Sequence, residues 1–222
     1  MKNYSVELIG VTKIVNEKLL EKLKSDSAEE LVMYCARVSN PANQDSGKPG
    51  LLNYCAKKQH WSIFEMANMV VEIETSRAIS AQILRHRSFS FQEFSQRYAQ
   101  VQEVQVYPAR SQDQKNRQNS NDDMNAEDQQ WFTDAQQKLT EFSSLQYNEA
   151  LERGVAKEQA RFLLPMASKT VLYMNGPIRS WIHYLSLRSA HGTQKEHMDI
   201  AEAIRKIFCE QFPIIAEALE WE

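Results

Sequence analysis

Glycine occurs only six times in 222 residues. No GxGxxG fingerprint, P-loop or nucleophile-elbow pattern is present, so Rossmann and Walker architectures are excluded. Any nucleotide bound by this chain must be held by side chains rather than by a glycine-rich backbone turn. The question then becomes where the polar and cationic side chains gather.

Hydrophobic periodicity supplies the elements. Residues 4–12 alternate as an opening strand. Ser27-Ala28-Glu29-Glu30 reads as a capping box, with Ser27 as N-cap and Glu30 reaching back, and the helix it starts carries Leu31, Val32, Tyr34 and Cys35. Lys48-Pro49-Gly50 breaks the chain before a helix at about Leu51–Gln59. Met69, Val71 and Ile73 alternate with Val70, Glu72 and Glu74, the pattern of a strand with one wet face. Thr75 or Ser76 can then cap a helix whose buried stripe is Ile79 and Ile83. Residues 110–130 hold only Met124 and Ala126 as apolar side chains, which predicts a mobile polar loop or insertion. A long helix follows over about Asp128–Arg153, with Gly154 at C′. Next come a short helix near Lys157–Phe162, a strand at 168–174, and a turn at Asn175-Gly176-Pro177. That turn opens a helix with Ile178, Trp181, Ile182 and Leu185 on one stripe. A final amphipathic helix covers about Gln194–Glu210, with a short one after Pro213. The expected fold is α+β, with a mixed or antiparallel sheet flanked by helices. One domain spans residues 1–222.

Composition excludes several functions. The net charge of −3 argues against a dedicated nucleic-acid binder. No run approaches ~18 consecutive apolar residues, so no membrane span is expected, and the N-terminal stretch lacks a signal-peptide core. The three cysteines, Cys35, Cys55 and Cys209, have no metal-site spacing and read as reduced thiols of a cytoplasmic protein.

Against this acidic background, the stretch from Arg77 to Arg97 sets four arginines against one acid, Glu93. Arg85, His86 and Arg87 are consecutive and would span ~200° of arc on a helix, so they cannot all face one ligand. Glu93, Ser95 and Arg97 alternate, so an extended backbone would aim all three the same way. Arg fork, serine hydroxyl and backbone N–H together suit a phosphate or carboxylate. Arg161, and Arg179 with His183 at i, i+4, form a second group, and Arg188 lies about half a turn round the helix from Arg179. Scattered arginines of this kind point to a polyanionic ligand with more than one phosphate. A non-catalytic nucleotide- or RNA-binding protein would share the basic segment and its phenylalanines, and a structural domain with interface salt bridges would share the arginines.

Arg85-His86-Arg87, seven residues, then Ser95, with Ser90, Glu93, Arg97 and Tyr98 at their places, resembles the signature of the flavin-dependent thymidylate synthases. The likeness extends to His60-Trp61-Ser62-Ile63-Phe64-Glu65, Arg161-Phe162-Leu163-Leu164-Pro165, Ile178-Arg179-Ser180 and Leu187-Arg188, and covers nearly the whole chain outside about 105–130. The resemblance implies a homotetramer with active sites at subunit interfaces. It implies FAD as cofactor, dUMP as substrate, and NADPH and methylenetetrahydrofolate as co-substrates, with dTMP as product. Carried over by residue, Arg85, His86 and Arg87 would contact FAD, with Arg85 also near dUMP. Ser62 would bind an FAD phosphate, and Arg179 and His183 would face FAD. Gln82, Ser95, Gln96, Arg97 and Arg161 would hold dUMP, with Ser95 and Arg97 on its phosphate. Glu93 would lie between dUMP and flavin. Arg188 would be the catalytic residue, at the pyrimidine edge, favouring the N3-ionised form. Ser95 has no neighbouring base to activate it as a nucleophile, and no cysteine lies in these segments. Two positions depart from the family pattern: Pro177 replaces a common Asn, and Gly192 stands where a His is frequent.

Overall fold

The computed structural model describes all residues except 1, 47, 49, 102 and 222. The N-terminal alternation forms strand β1 (Ser5–Val11), followed by helices α1 (Glu17–Leu23), α2 (Ala28–Ala36) and α3 (Gly50–Lys57). A 3-10 turn, Trp61–Glu65, precedes β2 (Asn68–Ser76), α4 (Arg77–Ile83) and β3 (Ser90–Glu93). Short strands β4 (Ser111–Gln112) and β5 (Ser120–Asn121) come next, then the long helix α5 (Ala126–Glu152) and α6 (Lys157–Ala160). The chain closes with β6 (Lys169–Pro177), α7 (Ile178–Arg188), α8 (Lys195–Gln211) and α9 (Pro213–Ala218). Of the expected break at Lys48-Pro49-Gly50, Pro49 lies outside the described residues. No helix among them is long and apolar enough to cross a membrane.

The sheet runs in the order β1-β2-β6-β3 with every pairing antiparallel. Met69, Val71 and Ile73 of β2 stand opposite Gly176, Met174 and Leu172 of β6, and all six are buried on one face. That face is covered by α7, whose Ile178, Trp181, Ile182 and Leu185 are buried as the spacing predicted. Trp181 Nε1 donates to the Met69 carbonyl at 3.1 Å, which ties helix to sheet and satisfies a polar atom that burial would otherwise penalise. Helix α8 adds Ile200, Ala201, Ile204 and Phe208 to the same core.

Several local expectations are corrected. Asn175-Gly176-Pro177 is not a turn but the end of β6, paired with Asn68–Val70. Gly176 is needed there because a Cβ would fall 2.4 Å from the Phe89 ring, which lies over it. The capping box is only half built. Ser27 Oγ accepts from the Glu30 N–H at 3.2 Å, but the Ser27 N–H donates to Ser25 Oγ instead of to Glu30. Ser76 is the N-cap of α4, yet its hydroxyl makes no capping hydrogen bond. Gly154 does end α5, at φ +81°. Its N–H bonds Leu151 O and the Val155 N–H bonds Ala150 O, the two contacts of a Schellman motif.

The polar segment at 110–130 holds the β4–β5 hairpin and the first turn of α5. Arg110 pairs with Glu196 of α8 and donates to Ser120 Oγ at 3.0 Å. Just before it, Gln136 both accepts from and donates to the Tyr107 backbone, and Gln129 does the same at Ala109. Two side-chain amides thus replace a neighbouring strand along residues 107–109.

Candidate active site

Helix α4 ends at Ile83, so Arg85-His86-Arg87 lies in the turn beyond it rather than on its last turn. Phe89 anchors the turn by inserting beside Trp181, 4.7 Å between ring centroids, and near Tyr184. The triplet therefore splays. His86 points inward and is half-buried, whereas Arg85 and Arg87 are exposed. Among the described residues, neither of those two arginines has a side-chain hydrogen bond or an ion pair.

Arg188 closes α7, where the helix dipole favours a cation. Its Nε donates to His86 Nε2 at 2.9 Å. That nitrogen accepts, so the imidazole proton sits on Nδ1 and the ring is neutral. Burial pushes the His86 imidazole down to about 4, and the Arg188 cation beside it adds to the shift. The guanidinium is thus oriented by a neutral acceptor while keeping its full charge and its two terminal nitrogens.

Glu93, at the end of β3, is caged by protein groups. Its carboxylate pairs with Arg77 at 2.8 Å and accepts from Ser80 Oγ, and from Thr170 Oγ1 at 3.2 Å. The strand then stops. Tyr98 and Ala99 donate their N–H groups back to the Ser95 carbonyl, so Ser95–Tyr98 is a turn. Glu93, Ser95 and Arg97 therefore do not share one extended face as alternation predicted. The turn leaves Ser95 exposed, buries Gln96, and aims Arg97 at α6. Arg97 holds Glu158 with Nε at 3.0 Å and a terminal nitrogen at 2.9 Å. Arg161 Nε donates to the Glu158 carbonyl at 3.2 Å. One residue of α6 thus gathers Arg97 and Arg161, two of the arginines expected to meet dUMP.

A third cluster forms on the Trp61–Glu65 turn. Arg179 pairs with Glu65, and the His183 ring stands edge-on to Trp61 at 5.1 Å. Ser62 lies exposed on the same turn, so Ser62, Arg179 and His183 come from one neighbourhood. Gln82 faces another buried ring, His197, with Gln82 Oε1 3.4 Å from its Nδ1. None of the thirteen candidate residues lines any of three clefts of about 390–690 Å³ elsewhere on the molecule.

Sequence reasoning missed His197, Tyr184, Ser80, Thr170 and Glu158. Only His197 left a usable signal: it falls on the α8 stripe with Ile200, Ala201, Ile204 and Phe208, where a polar ring needs partners. Of the two departures from the family pattern, Gly192 has a backbone reason. Its φ of +102° is a conformation that a histidine would hold only under strain.

These features define a class: a helix-covered antiparallel sheet with arginines clustered beside a neutral histidine, a donor set suited to phosphate groups. The chain belongs to the family described as thymidylate synthase complementing protein, whose profile matches residues 18–214. It is 54% identical over 220 residues to a probable flavin-dependent thymidylate synthase of Paramecium bursaria Chlorella virus 1, covering 98% of this chain and 99% of the viral one. It is 55% identical over 195 residues to the flavin-dependent thymidylate synthase of a Synechocystis strain, covering 88% of this chain and 91% of that one. A crystal structure of a UMP/dUMP methylase, PolB from Streptomyces cacaoi bound with 5-Br dUMP, superposes with a TM-score of 0.82 over 99% of this chain and 95% of that one. At 24% identity that likeness speaks for the fold alone.

Proposed function

We propose that this chain is a flavin-dependent thymidylate synthase that converts dUMP to dTMP, with methylenetetrahydrofolate as carbon donor and NADPH as the source of reducing equivalents. The observation that carries the reading is the Arg188–His86 bond, which joins the signature triplet to a guanidinium 102 residues away. Arg188 would stabilise negative charge on the pyrimidine as N3 loses its proton, making C5 more nucleophilic. A guanidinium suits this role because it cannot lose its own proton at working pH. His86, neutral and accepting, turns the guanidinium without competing for the anion.

The donor set fits FAD. Arg85 and Arg87 are exposed and without ion-pair partners among the described residues, and the Ser62 hydroxyl is exposed on the turn that also holds Arg179 and His183. Cationic forks and hydroxyls of this kind match the charge and acceptor oxygens of a pyrophosphate. FAD, when bound, supplies a two-electron carrier that amino-acid side chains lack. Arg97 and Arg161 would take the dUMP phosphate, with the Ser95 hydroxyl beside them, and Gln82 and Gln96 would add amide contacts. Glu93, held by Arg77, Ser80 and Thr170, would present a fixed carboxylate between the two ligands.

We further propose a homotetramer with sites completed between subunits. Two observations support it: Ser62, Arg85, Arg87, Ser95, Arg97 and His183 are exposed, and α5 exposes Trp131, Leu139, Phe142 and Leu145. The three thiols are free, in keeping with a reducing cytoplasm.

The test is anaerobic. The protein is reconstituted with FAD, NADPH is added, and bleaching of the flavin band is followed with and without dUMP. Methylenetetrahydrofolate is then added and dTMP is quantified. The expected result is bleaching whose rate responds to dUMP, followed by dTMP. Arg188→Ala should abolish dTMP formation while FAD binding largely survives. A wild-type chain that binds no FAD, or bleaches without ever forming dTMP, would overturn the assignment.

A further inference from the structure

His197 lies fully buried on α8, outside every segment that carries the family signature. Both of its ring nitrogens are used. Nε2 is 3.0 Å from the Tyr184 hydroxyl, and Nδ1 is 3.4 Å from Gln82 Oε1. Beyond Gln82 the contacts continue to the surface. Gln82 Nε2 donates to Gln194 Oε1 at 2.6 Å, Gln194 Nε2 donates to Glu196 at 2.9 Å, and Glu196 pairs with Arg110.

The direction of this chain follows from one end. An ionised carboxylate paired with an arginine can only accept. The NH2 of Gln194 must therefore face Glu196, which turns its carbonyl toward Gln82. Gln82 must then offer its NH2 to Gln194 and its carbonyl to His197. His197 must carry its proton on Nδ1, so Nε2 accepts from the Tyr184 hydroxyl. Every donor points toward Glu196, and only one amide orientation and one histidine tautomer satisfy the whole run. Aligned hydrogen bonds of this kind polarise one another.

We propose that His197 is a positioning residue of the active site: through its Nδ1–H it fixes which way the Gln82 amide faces, and through Tyr184 it backs the His86–Arg188 pair. This rests on the dUMP-binding reading of Gln82 given above. With both ends of its amide engaged, Gln82 keeps one carbonyl lone pair and one N–H for a ligand, each in a set direction. The Tyr184 ring stands edge-on to His86, 4.8 Å between centroids, so the residue that holds the Tyr184 hydroxyl also backs the histidine that turns Arg188. Burial, with Arg188 and His86 nearby, pushes the His197 imidazole down to about 3, so it is a neutral donor–acceptor at all working pH. A protonated ring would offer two donors and break the run at Tyr184.

The test is a double-mutant cycle on the FAD-loaded enzyme, read as KM for dUMP against kcat for dTMP formation. His197→Phe, which keeps a ring but no hydrogen bonds, should raise the dUMP KM on the order of 10-fold, as expected when a buried hydrogen bond is lost. FAD affinity should stay within about 2-fold. In a Gln82→Ala background the same substitution should add little further change in KM, because the group it positions is gone. Gln194→Met, at an exposed position, cuts the run from the other side and should raise KM by about 3-fold, which keeps the test alive if the buried substitution prevents folding. An equal KM penalty from His197→Phe with and without Gln82, or loss of FAD affinity in step with dUMP affinity, would mean that His197 acts only in core stability and would overturn the proposal. Absence of dUMP turnover in the wild type would instead remove the dUMP reading, and this inference with it.

Discussion

Glu29 offers the sharpest test of the energetics. It sits in the first turn of α2, only 3% exposed, and accepts from the Ile215 N–H at 2.8 Å. Ile215 belongs to the first turn of α9, where N–H groups have no helical partner. Those donors favour the carboxylate, yet desolvation is the larger effect and pushes the Glu29 carboxyl up from 4.5 to about 7. The folded state therefore binds this proton more tightly than the unfolded state. Its stabilising contribution is complete below about 4.5, falls as pH rises through the window to about 7, and is gone above it. At ~1.4 kcal/mol per pH unit, the span corresponds to ~3.5 kcal/mol at most, and relaxation around the group brings the working figure to about 2. Glu29→Gln keeps an acceptor for the Ile215 N–H and is neutral at every pH. Urea unfolding of both proteins at pH 5 and pH 8, at one fixed protein concentration, gives a double difference in which the other carboxylates cancel. The variant should match wild type within ~1 kcal/mol at pH 5 and exceed it by about 2 at pH 8. A variant equally destabilised at both pH values, or worse at pH 8, would show that Glu29 is ionised against the α9 N-terminus and would refute the reasoning.

Two further outcomes follow from particular contacts. In the proposed site Arg97 would give up Glu158 for the dUMP phosphate, and an exposed pair of this kind is worth about 0.2–1 kcal/mol. Glu158→Gln should therefore lower the dUMP KM by about 1.5- to 5-fold, with the gain shrinking in steady-state assays at high salt. Gly176→Ala would place a Cβ 2.4 and 2.7 Å from two Phe89 ring carbons. Phe89 is wedged between Trp181 and Tyr184, so the strain should lower the urea unfolding free energy by about 1–3 kcal/mol. A change below ~0.5 kcal/mol would show that the ring moves freely.

The legible parts of this molecule and the illegible ones differ in range. Periodicity reports which side of an element is apolar, and Ile178, Trp181, Ile182 and Leu185 are buried on that basis alone. Gly154 is equally local, since a left-handed residue after a helix needs no knowledge of the rest of the chain. The motif segments were legible for a different reason: their residue types and spacing carry chemistry wherever the chain places them. The contacts that give those residues their roles were not. His86 meets Arg188 across 102 residues, Glu65 meets Arg179 across 114, and His197 meets Gln82 across 115. No local pattern encodes such pairings. The error at Glu93, Ser95 and Arg97 has the same origin. Alternation presumes that the strand continues, and Ser95-Gln96-Arg97-Tyr98 contains no glycine or proline to announce a turn. What ends the strand is tertiary: the carboxylate of Glu93 is already held by Arg77, Ser80 and Thr170, and Arg97 is drawn to Glu158 on α6. A residue's chemistry can be read from the sequence, but the partner that turns it toward a ligand has to be found in the fold, and the partners of Arg188, Arg179, Gln82 and Arg97 lie on elements remote in the chain.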